Sequence, residues 1–292
     1  MLSIRKRVIG MSFSDALSMA FPSVFLLLFI VSAVITALGV VKFVYFLSVG
    51  YGLSVAGLAI TLFLAFIPKL SPISIIQLLL LLAYGVRLGG FLLVRELKSV
   101  AYRKELKGAV KAEKSMPFII KVVIWLSCAF LYCTQTSPAL YRAMADQAGI
   151  ISGISVWAVA GVLVMAAAIV LESVADLQKS RAKAKNPDRF CDSGLYKIVR
   201  YPNYLAEILF WTGMLLSGAD IYNGWVQWAV ALFGYICIVY VMLDSARRLE
   251  AKQNSRYGEN VEYKRYIAQT PKLFPVGNSK SLNKGDGHYE QL

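Results

Sequence analysis

Long runs without a charged residue constrain this chain more than any other feature. Six such runs span residues 16–41, 43–68, 70–86, 122–141, 147–171 and 221–243, and a seventh, residues 204–219, contains a single charge, Glu207. A helix needs about 20 predominantly apolar residues to cross a bilayer. In hydrocarbon, runs of this length satisfy their own backbone groups as helices. The sequence therefore predicts an all-α, polytopic integral membrane bundle of about seven transmembrane helices.

The composition supports a membrane protein. Of the 292 residues, 58% are hydrophobic and 16% are charged, whereas soluble domains have about 45–50% apolar and about 25% charged residues. An ordinary soluble domain is therefore excluded.

Basic residues are concentrated between the apolar runs. The net charge is +14, and residues 95–116 and 177–202 contain seven Lys or Arg each, while the tail after Asp244 is also basic. With seven spans, the positive-inside rule places these three segments in the cytoplasm. Arg5, Lys6 and Arg7 then lie on the opposite side and break the rule. This distribution favours membrane lipids and a phosphorylated ligand as partners, and not nucleic acid.

We expect three segments along the chain. Residues 1–20 form a basic N-terminal segment, residues 21–275 the transmembrane domain, and residues 276–292 a disordered polar tail. His288, the single histidine, lies in that tail, which excludes a metal site built from several histidines. Three of the four cysteines lie in or beside apolar runs, and we interpret them as packing residues.

Glu207 is the most informative ionisable residue, because charged groups inside a membrane are costly and usually functional. Asn203 lies one helical turn before it, on the same helix face. Pro202 favours a helix start at this point. Such a start offers free N–H groups to an anion. The alternative is that Asn203 caps the helix and Glu207 pairs with an arginine.

A second pair of acidic residues, Glu172 and Asp176, repeats the same spacing at the end of the fifth run. Two like charges on one helix face are mildly destabilising unless something binds them. A ribose diol or an amide would serve, although a solvated helix end would have the same pattern.

Polar residues also end the third run and the last one. Tyr84 lies near the end of the third run, and Arg87, three residues later, directly follows it. A phenol can donate a proton to a carbonyl. The basic residues Arg95, Arg247 and Arg248 would contact lipid head groups or close over a phosphorylated cofactor.

Two segments resemble the C-terminal signature of the steroid 5α-reductase-like membrane proteins, and within them the branch of the domain of unknown function 1295. They read R-F-C-D-S-G-L-Y at 189–196 and R-Y-P-N-Y-L-A-E at 200–207, followed by Trp211. E-S-V-A-D-L-Q-K at 172–179 is similar to the preceding family element, and the Tyr-x-x-Arg of the third run is similar to an earlier one.

The resemblance implies a seven-span bundle that binds NADPH from the cytoplasmic side. It implies hydride transfer to an activated carbon–carbon double bond of an apolar, steroid-like or lipid-like substrate. In the roles it implies, Tyr84 polarises the substrate carbonyl, with Arg87 beside it. The expected cofactor-binding residues are Arg95, Glu172, Asp176, Arg189, Arg200, Asn203, Tyr204, Glu207, Arg248 and Glu250.

The chain departs from the steroid reductases in one early segment. Their Gln-Glu pair has no counterpart, and the corresponding residues 48–52 read S-V-G-Y-G. This difference affects the expected identity of the substrate more than the expected binding of the cofactor.

Two other functions remain open. An isoprenylcysteine-type membrane methyltransferase that uses S-adenosylmethionine shares the R-H-P-x-Y pattern and a late glutamate, here Glu250. A non-enzymatic lipid-binding scaffold or transporter is the third possibility, although transporters typically contain inverted repeats and none is visible here.

Overall fold

A computed structural model of the protein describes residues 12–98, 116–150 and 153–275, and the structural statements below concern these residues. All their regular secondary structure is helical. The α-helices are α1 Phe13–Ala20, α2 Ser23–Thr36, α3 Leu38–Val41, α4 Val49–Phe66, α5 Pro72–Lys98, α6 Phe118–Gln147, α7 Val156–Lys185, α8 Pro202–Ser217, α9 Trp225–Tyr257 and α10 Val261–Gln269. Short 3₁₀ helices cover Phe43–Leu47, Ile67–Lys69 and Gly194–Lys197.

The predicted all-α membrane fold is confirmed. Six helical segments are long and apolar enough to cross a membrane: Ser23–Val40, Val49–Lys69, Pro72–Lys98, Phe118–Gln147, Val156–Lys185 and Trp225–Tyr257. The seventh predicted span is α8, which has only 16 residues. At 1.5 Å per residue it is about 24 Å long, which is shorter than the roughly 30 Å hydrocarbon core.

The spanning helices expose large apolar side chains, as expected for surfaces that contact lipid. Val34, Leu64 and Leu163 are each more than 60% exposed. The chain is thus an integral, multi-pass membrane protein with membrane lipids as partners. Its orientation stays a prediction, and residues 1–11, 99–115 and 276–292, which include the N-terminal arginines and the expected disordered tail, lie outside the described residues.

Helix α6 is longer than its apolar run, and this changes the environment of Arg142. The residue directly follows the uncharged run 122–141, yet it belongs to the helix and is fully buried. Its guanidinium donates to the carbonyl of Ser217 at 2.9 Å and to Asp220 at 2.6 Å. Pro138 lies inside α6, where its nitrogen cannot donate a hydrogen bond to the Thr134 carbonyl. The proline is tolerated because the Ser137 hydroxyl donates to this carbonyl instead, at 2.8 Å.

The described residues divide into two compact units. The first unit contains residues 12–166 and 211–238, and the second contains residues 167–210 and 239–275. The predicted boundaries of the transmembrane domain, 21 and 275, stay predictions.

Glycines bring the backbones of α4 and α5 together in the first unit. A Cβ atom on Gly52 would lie 2.5 Å from the nitrogen of Gly89, and one on Gly85 would lie 2.6 Å from the carbonyl of Gly52. Small residues allow such approach between membrane helices, where no hydrophobic effect drives association.

The C-terminal segment of the second unit, residues 271–275, is hydrogen-bonded to the start of the chain segment that leads into α8. The backbone N–H of Arg200 donates to the carbonyl of Pro271 at 2.9 Å, and that of Tyr201 donates to Lys272 at 3.2 Å. Phe190, which is 4% exposed, packs against three tyrosine rings at centroid distances of 5.1–5.8 Å: Tyr257, Tyr263 and Tyr266.

Candidate functional site

The first unit contains a buried chain of hydrogen-bonded aromatic residues. The indole N–H of Trp211 donates to the phenol oxygen of Tyr51 at 2.8 Å, and this oxygen lies 3.1 Å from that of Tyr84. Tyr132 stacks near Tyr51 with ring centroids 4.9 Å apart. All four side chains are at most 5% exposed. The predicted electrophile Tyr84 is therefore part of a polar cluster inside an apolar bundle.

The close crossing of α4 and α5 explains this placement. Tyr51 and Tyr84 directly precede Gly52 and Gly85, the two glycines at the crossing. Any side chain at these glycines would push the helices apart and separate the two phenols.

The donor inventory of the side chains fixes one direction in this chain. An indole can only donate, whereas a phenol both donates one proton and accepts. Tyr51 therefore accepts from Trp211, while either phenol can donate in the bond between Tyr51 and Tyr84. When Tyr51 donates, the Tyr84 oxygen becomes a better donor of its own proton, because linked hydrogen bonds polarise one another.

The two predicted arginines of α5 differ in environment. Arg87 is half-buried on the helix one turn after Tyr84. Arg95 is exposed near the end of α5, where its guanidinium lies 6.0 Å from the centre of the Phe91 ring.

Nine of the ten residues predicted to bind the cofactor lie in the second unit, and Arg95 lies in the first. Glu172 on α7 and Glu207 on α8 are buried, with 3% and 6% exposure. Asp176, Asn203 and Tyr204 are half-buried. The fold therefore gathers most of the predicted polar set within a unit of about a third of the chain.

Some buried side-chain oxygens of this unit lack a hydrogen-bond partner within the described residues. Among them are the buried Oδ1 of Asn203, at the start of α8, and the hydroxyl of Tyr196, which is 3% exposed. Burial raises the pKa of Tyr196, and the neighbouring Asp176 carboxylate raises it further. A buried group without a partner is destabilising, so both atoms are candidates for bonds to a ligand.

Arg200 and Glu250 bond to each other. The Arg200 guanidinium pairs with one oxygen of Glu250, whose other oxygen pairs with Lys272. Arg200 also donates to the carbonyls of Ile267 at 2.7 Å and Thr270 at 3.1 Å. In this arrangement the two residues hold the C-terminal segment, and their predicted contact with a cofactor stays a prediction.

The remaining predicted arginines form exposed ion pairs. Arg189 donates to Asp192 at 2.8 Å and to Glu262 at 2.5 Å, and Arg248 pairs with Asp244. The carboxylates next to Arg189 raise its pKa. Its side chain is 43% exposed and that of Arg248 is 67% exposed, so a phosphate could exchange with the carboxylates at either residue.

Sequence reasoning missed Tyr51 and Tyr196. Tyr51 lies in the segment whose family pair is missing, and its proximity to Tyr84 depends on a contact between helices that spacing alone does not reveal. Tyr196 is part of the quoted signature, but its buried hydroxyl has no sequence signal.

Comparison with known proteins gives one match. The family described as proteins of unknown function, DUF1295, matches residues 27–270. No curated protein and no solved structure matches the chain.

Proposed function

We propose that this protein, which belongs to the DUF1295 family of proteins of unknown function, is an integral membrane reductase. It uses NADPH to reduce an activated carbon–carbon double bond in an apolar, steroid-like or lipid-like enone. The observation that carries the proposal is the buried chain of hydrogen bonds linking Trp211, Tyr51 and Tyr84. The resemblance of residues 172–211 to steroid 5α-reductase-like proteins supports the same activity.

Reduction of an enone needs a proton donor near the carbonyl. Addition of a hydride to the β-carbon moves an electron pair onto the carbonyl oxygen and forms an enolate, which then takes a proton from water at the α-carbon. The Tyr84 hydroxyl would donate a hydrogen bond to this oxygen as its negative charge develops. Tyr51, supported by Trp211, would keep the Tyr84 phenol oriented toward the substrate carbonyl. Methyl transfer has no comparable need for a buried phenol donor.

The polar groups of the second unit fit a nicotinamide dinucleotide in chemical type. The buried Oδ1 of Asn203 and the hydroxyl of Tyr196 lack partners among the described residues, and they match the amide and hydroxyl groups of such a cofactor. Glu172, Asp176 and Glu207 would accept hydrogen bonds from ribose hydroxyls or from the carboxamide. When bound, NADPH would supply the hydride.

The phosphates of the cofactor require cations. Arg189 and Arg248 have exposed guanidinium groups whose present partners are surface carboxylates. Surface ion pairs contribute little to stability, so replacing a carboxylate by a phosphate costs little. Arg200, in contrast, would act by keeping the C-terminal segment in place.

Ligand-dependent thermal stability of the detergent-purified protein tests the cofactor assignment. We expect NADPH to stabilise the protein, by about 2.7 kcal/mol at a concentration about 100 times its Kd. NADH should stabilise it less, because it lacks the 2′-phosphate, and S-adenosylmethionine should have no effect. Stabilisation by S-adenosylmethionine alone would contradict the proposal and favour a methyltransferase.

A further inference from the structure

The interior of the first unit contains a carboxamide with no hydrogen-bond partner. Gln135 on α6 is 2% exposed, and neither its Oε1 nor its Nε2 is bonded within the described residues. The adjacent hydroxyl groups on α6 differ, because Thr136 donates to the Tyr132 carbonyl at 3.0 Å and Ser137 to the Thr134 carbonyl. An unsatisfied amide inside hydrocarbon is costly, so it points to a missing partner.

A second buried group without a partner lies on α4, which packs against α6. The Ser54 hydroxyl on α4 is fully buried and also has no partner among the described residues. Among the described residues, one candidate span, α5, lies between α4 and α6 in the chain, and we take α4 and α6 to run in the same direction. The rings of Tyr51 and Tyr132 lie 4.9 Å apart between these helices. Ser54 and Gln135 each follow their tyrosine by three residues, which is about 4.5 Å further along the axis.

We infer that Gln135 and Ser54 form a subsite for a neutral hydroxyl group of the substrate. This inference rests on the proposed reductase function and narrows its substrate to enones with a hydroxyl remote from the carbonyl. We call the Ser54 hydroxyl and the Gln135 carboxamide the hydroxyl subsite.

The charge of the surroundings selects a neutral group. Helix α4 contains no Asp, Glu, Lys or Arg, and neither do residues 122–141 of α6. Arg142, one to two turns further along α6, is bonded to Ser217 and Asp220. A carboxylate or phosphate would therefore be buried without a cation from these helices.

The donors and acceptors select a hydroxyl over a carbonyl. The amide of Gln135 offers both an acceptor, Oε1, and a donor group, Nε2, and both are unsatisfied. A ligand hydroxyl can donate to Oε1 and accept from Nε2 or from Ser54. A carbonyl could accept from Nε2, but it could not itself donate to Oε1.

The experiment compares pairs of enones that differ only in one remote hydroxyl. The probes are a steroid 4-en-3-one, a monocyclic terpenoid enone and a long-chain 2-alkenone, each with and without that hydroxyl. Binding is measured by thermal shift on the full-length protein in detergent. We expect the hydroxylated member of at least one pair to bind the unmodified protein about tenfold more tightly, which corresponds to about 1.4 kcal/mol.

Substitutions then identify the residue responsible. Gln135→Leu should abolish this preference without lowering the melting temperature of the ligand-free protein, because it removes an unsatisfied polar group. Ser54→Ala, which changes little volume, should reduce the preference several-fold. Thr136→Val is the matched control, since the Thr136 hydroxyl is already bonded within its own helix, and it should keep the preference.

Three results would overturn the inference. The first is a preference for the hydroxylated enone that persists in Gln135→Leu. The second is equal binding, or no binding, of both members of every pair, and the third is a lower melting temperature of ligand-free Gln135→Leu. The second result would mean that only water occupies the subsite. NADPH binding and enone turnover are measured separately, so reduction without a hydroxyl preference rejects the subsite alone. A preference without NADPH binding rejects the reductase alone.

Discussion

Trp211 donates its indole N–H to the phenol oxygen of Tyr51 at 2.8 Å, within the same buried cluster as Tyr84. Tyr51 belongs to residues 48–52, where the steroid reductases have a Gln-Glu pair that this chain lacks. The position is thus occupied by a phenol that bonds to the predicted electrophile. We interpret Tyr51 as a positioning residue for Tyr84, with Trp211 as its fixed donor.

Removal of the supporting groups should lower turnover without weakening NADPH binding. Tyr51→Phe removes the hydroxyl that bonds to Tyr84, and Trp211→Phe removes the donor to Tyr51. We expect kcat for enone reduction to fall about tenfold in each, at the low end of effects on proton transfer. The matched control is Tyr141→Phe, which removes a buried phenol elsewhere in the first unit, where it donates to the Ala20 carbonyl. Equal losses in all three variants would indicate general destabilisation.

The amide at the start of α8 should contribute to cofactor affinity. Asn203→Ala removes the buried Oδ1 that lacks a partner among the described residues, and we expect the Kd for NADPH to rise about tenfold. Asn260→Ala is the control, because Asn260 caps α10 through the N–H groups of Glu262 and Tyr263. It should cost about 1 kcal/mol of stability and leave the Kd unchanged. An unchanged Kd in Asn203→Ala would remove this residue from the cofactor site.

The crossing of α4 and α5 should tolerate no side chain. In Gly85→Ala the new Cβ atom would lie 2.6 Å from backbone atoms of Gly52 and Ala56. Overpacking of this kind costs about 1–3 kcal/mol, and it should also reduce turnover by separating Tyr51 from Tyr84. Gly90→Ala on the same helix is the control, since no atom lies within 4 Å of its Cβ position. Equal thermal stability of the two variants would show that the backbones are not in close contact.

The second unit should lose stability at alkaline pH. Burial, followed by the charge of Asp176, raises the pKa of Tyr196 above its ordinary value of 10.0. The folded state therefore keeps this proton in a pH range where the unfolded state releases it. Its contribution is full below pH about 10 and is lost as the pH rises from there through the raised pKa. Tyr196→Phe should show a smaller loss of melting temperature between pH 9 and pH 11, and an unchanged loss would contradict this.

The fold class could be predicted because uncharged runs of about 20 residues leave a chain few alternatives in a membrane. The limits of this approach appear at α6 and α8. Arg142 ends an apolar run, but the helix continues to Gln147 because Ser217 and Asp220 satisfy the guanidinium inside the protein. Helix α8 has the composition of a span, yet it is only 16 residues long.

The candidate site could be predicted in its residue types and only partly in its contacts. Glu207 is predicted because a charge inside an apolar run is unusual, and Glu172 because it shares a helix face with Asp176; both glutamates are buried. The bond between Arg200 and Glu250 joins residues 50 positions apart, and no local pattern indicates it. The same holds for Tyr51 and Tyr84, which are brought together by glycines on two different helices.

The central claim is that Tyr84 donates a hydrogen bond to the substrate carbonyl in an NADPH-dependent reduction. The most direct test measures enone-dependent oxidation of NADPH by the purified protein and by Tyr84→Phe, with the Kd for NADPH measured in parallel. We predict turnover by the unmodified protein, a loss of about 10²-fold or more in Tyr84→Phe, and the same Kd in both. Full turnover by Tyr84→Phe, or no NADPH oxidation by the unmodified protein with any enone of the panel, would contradict the account.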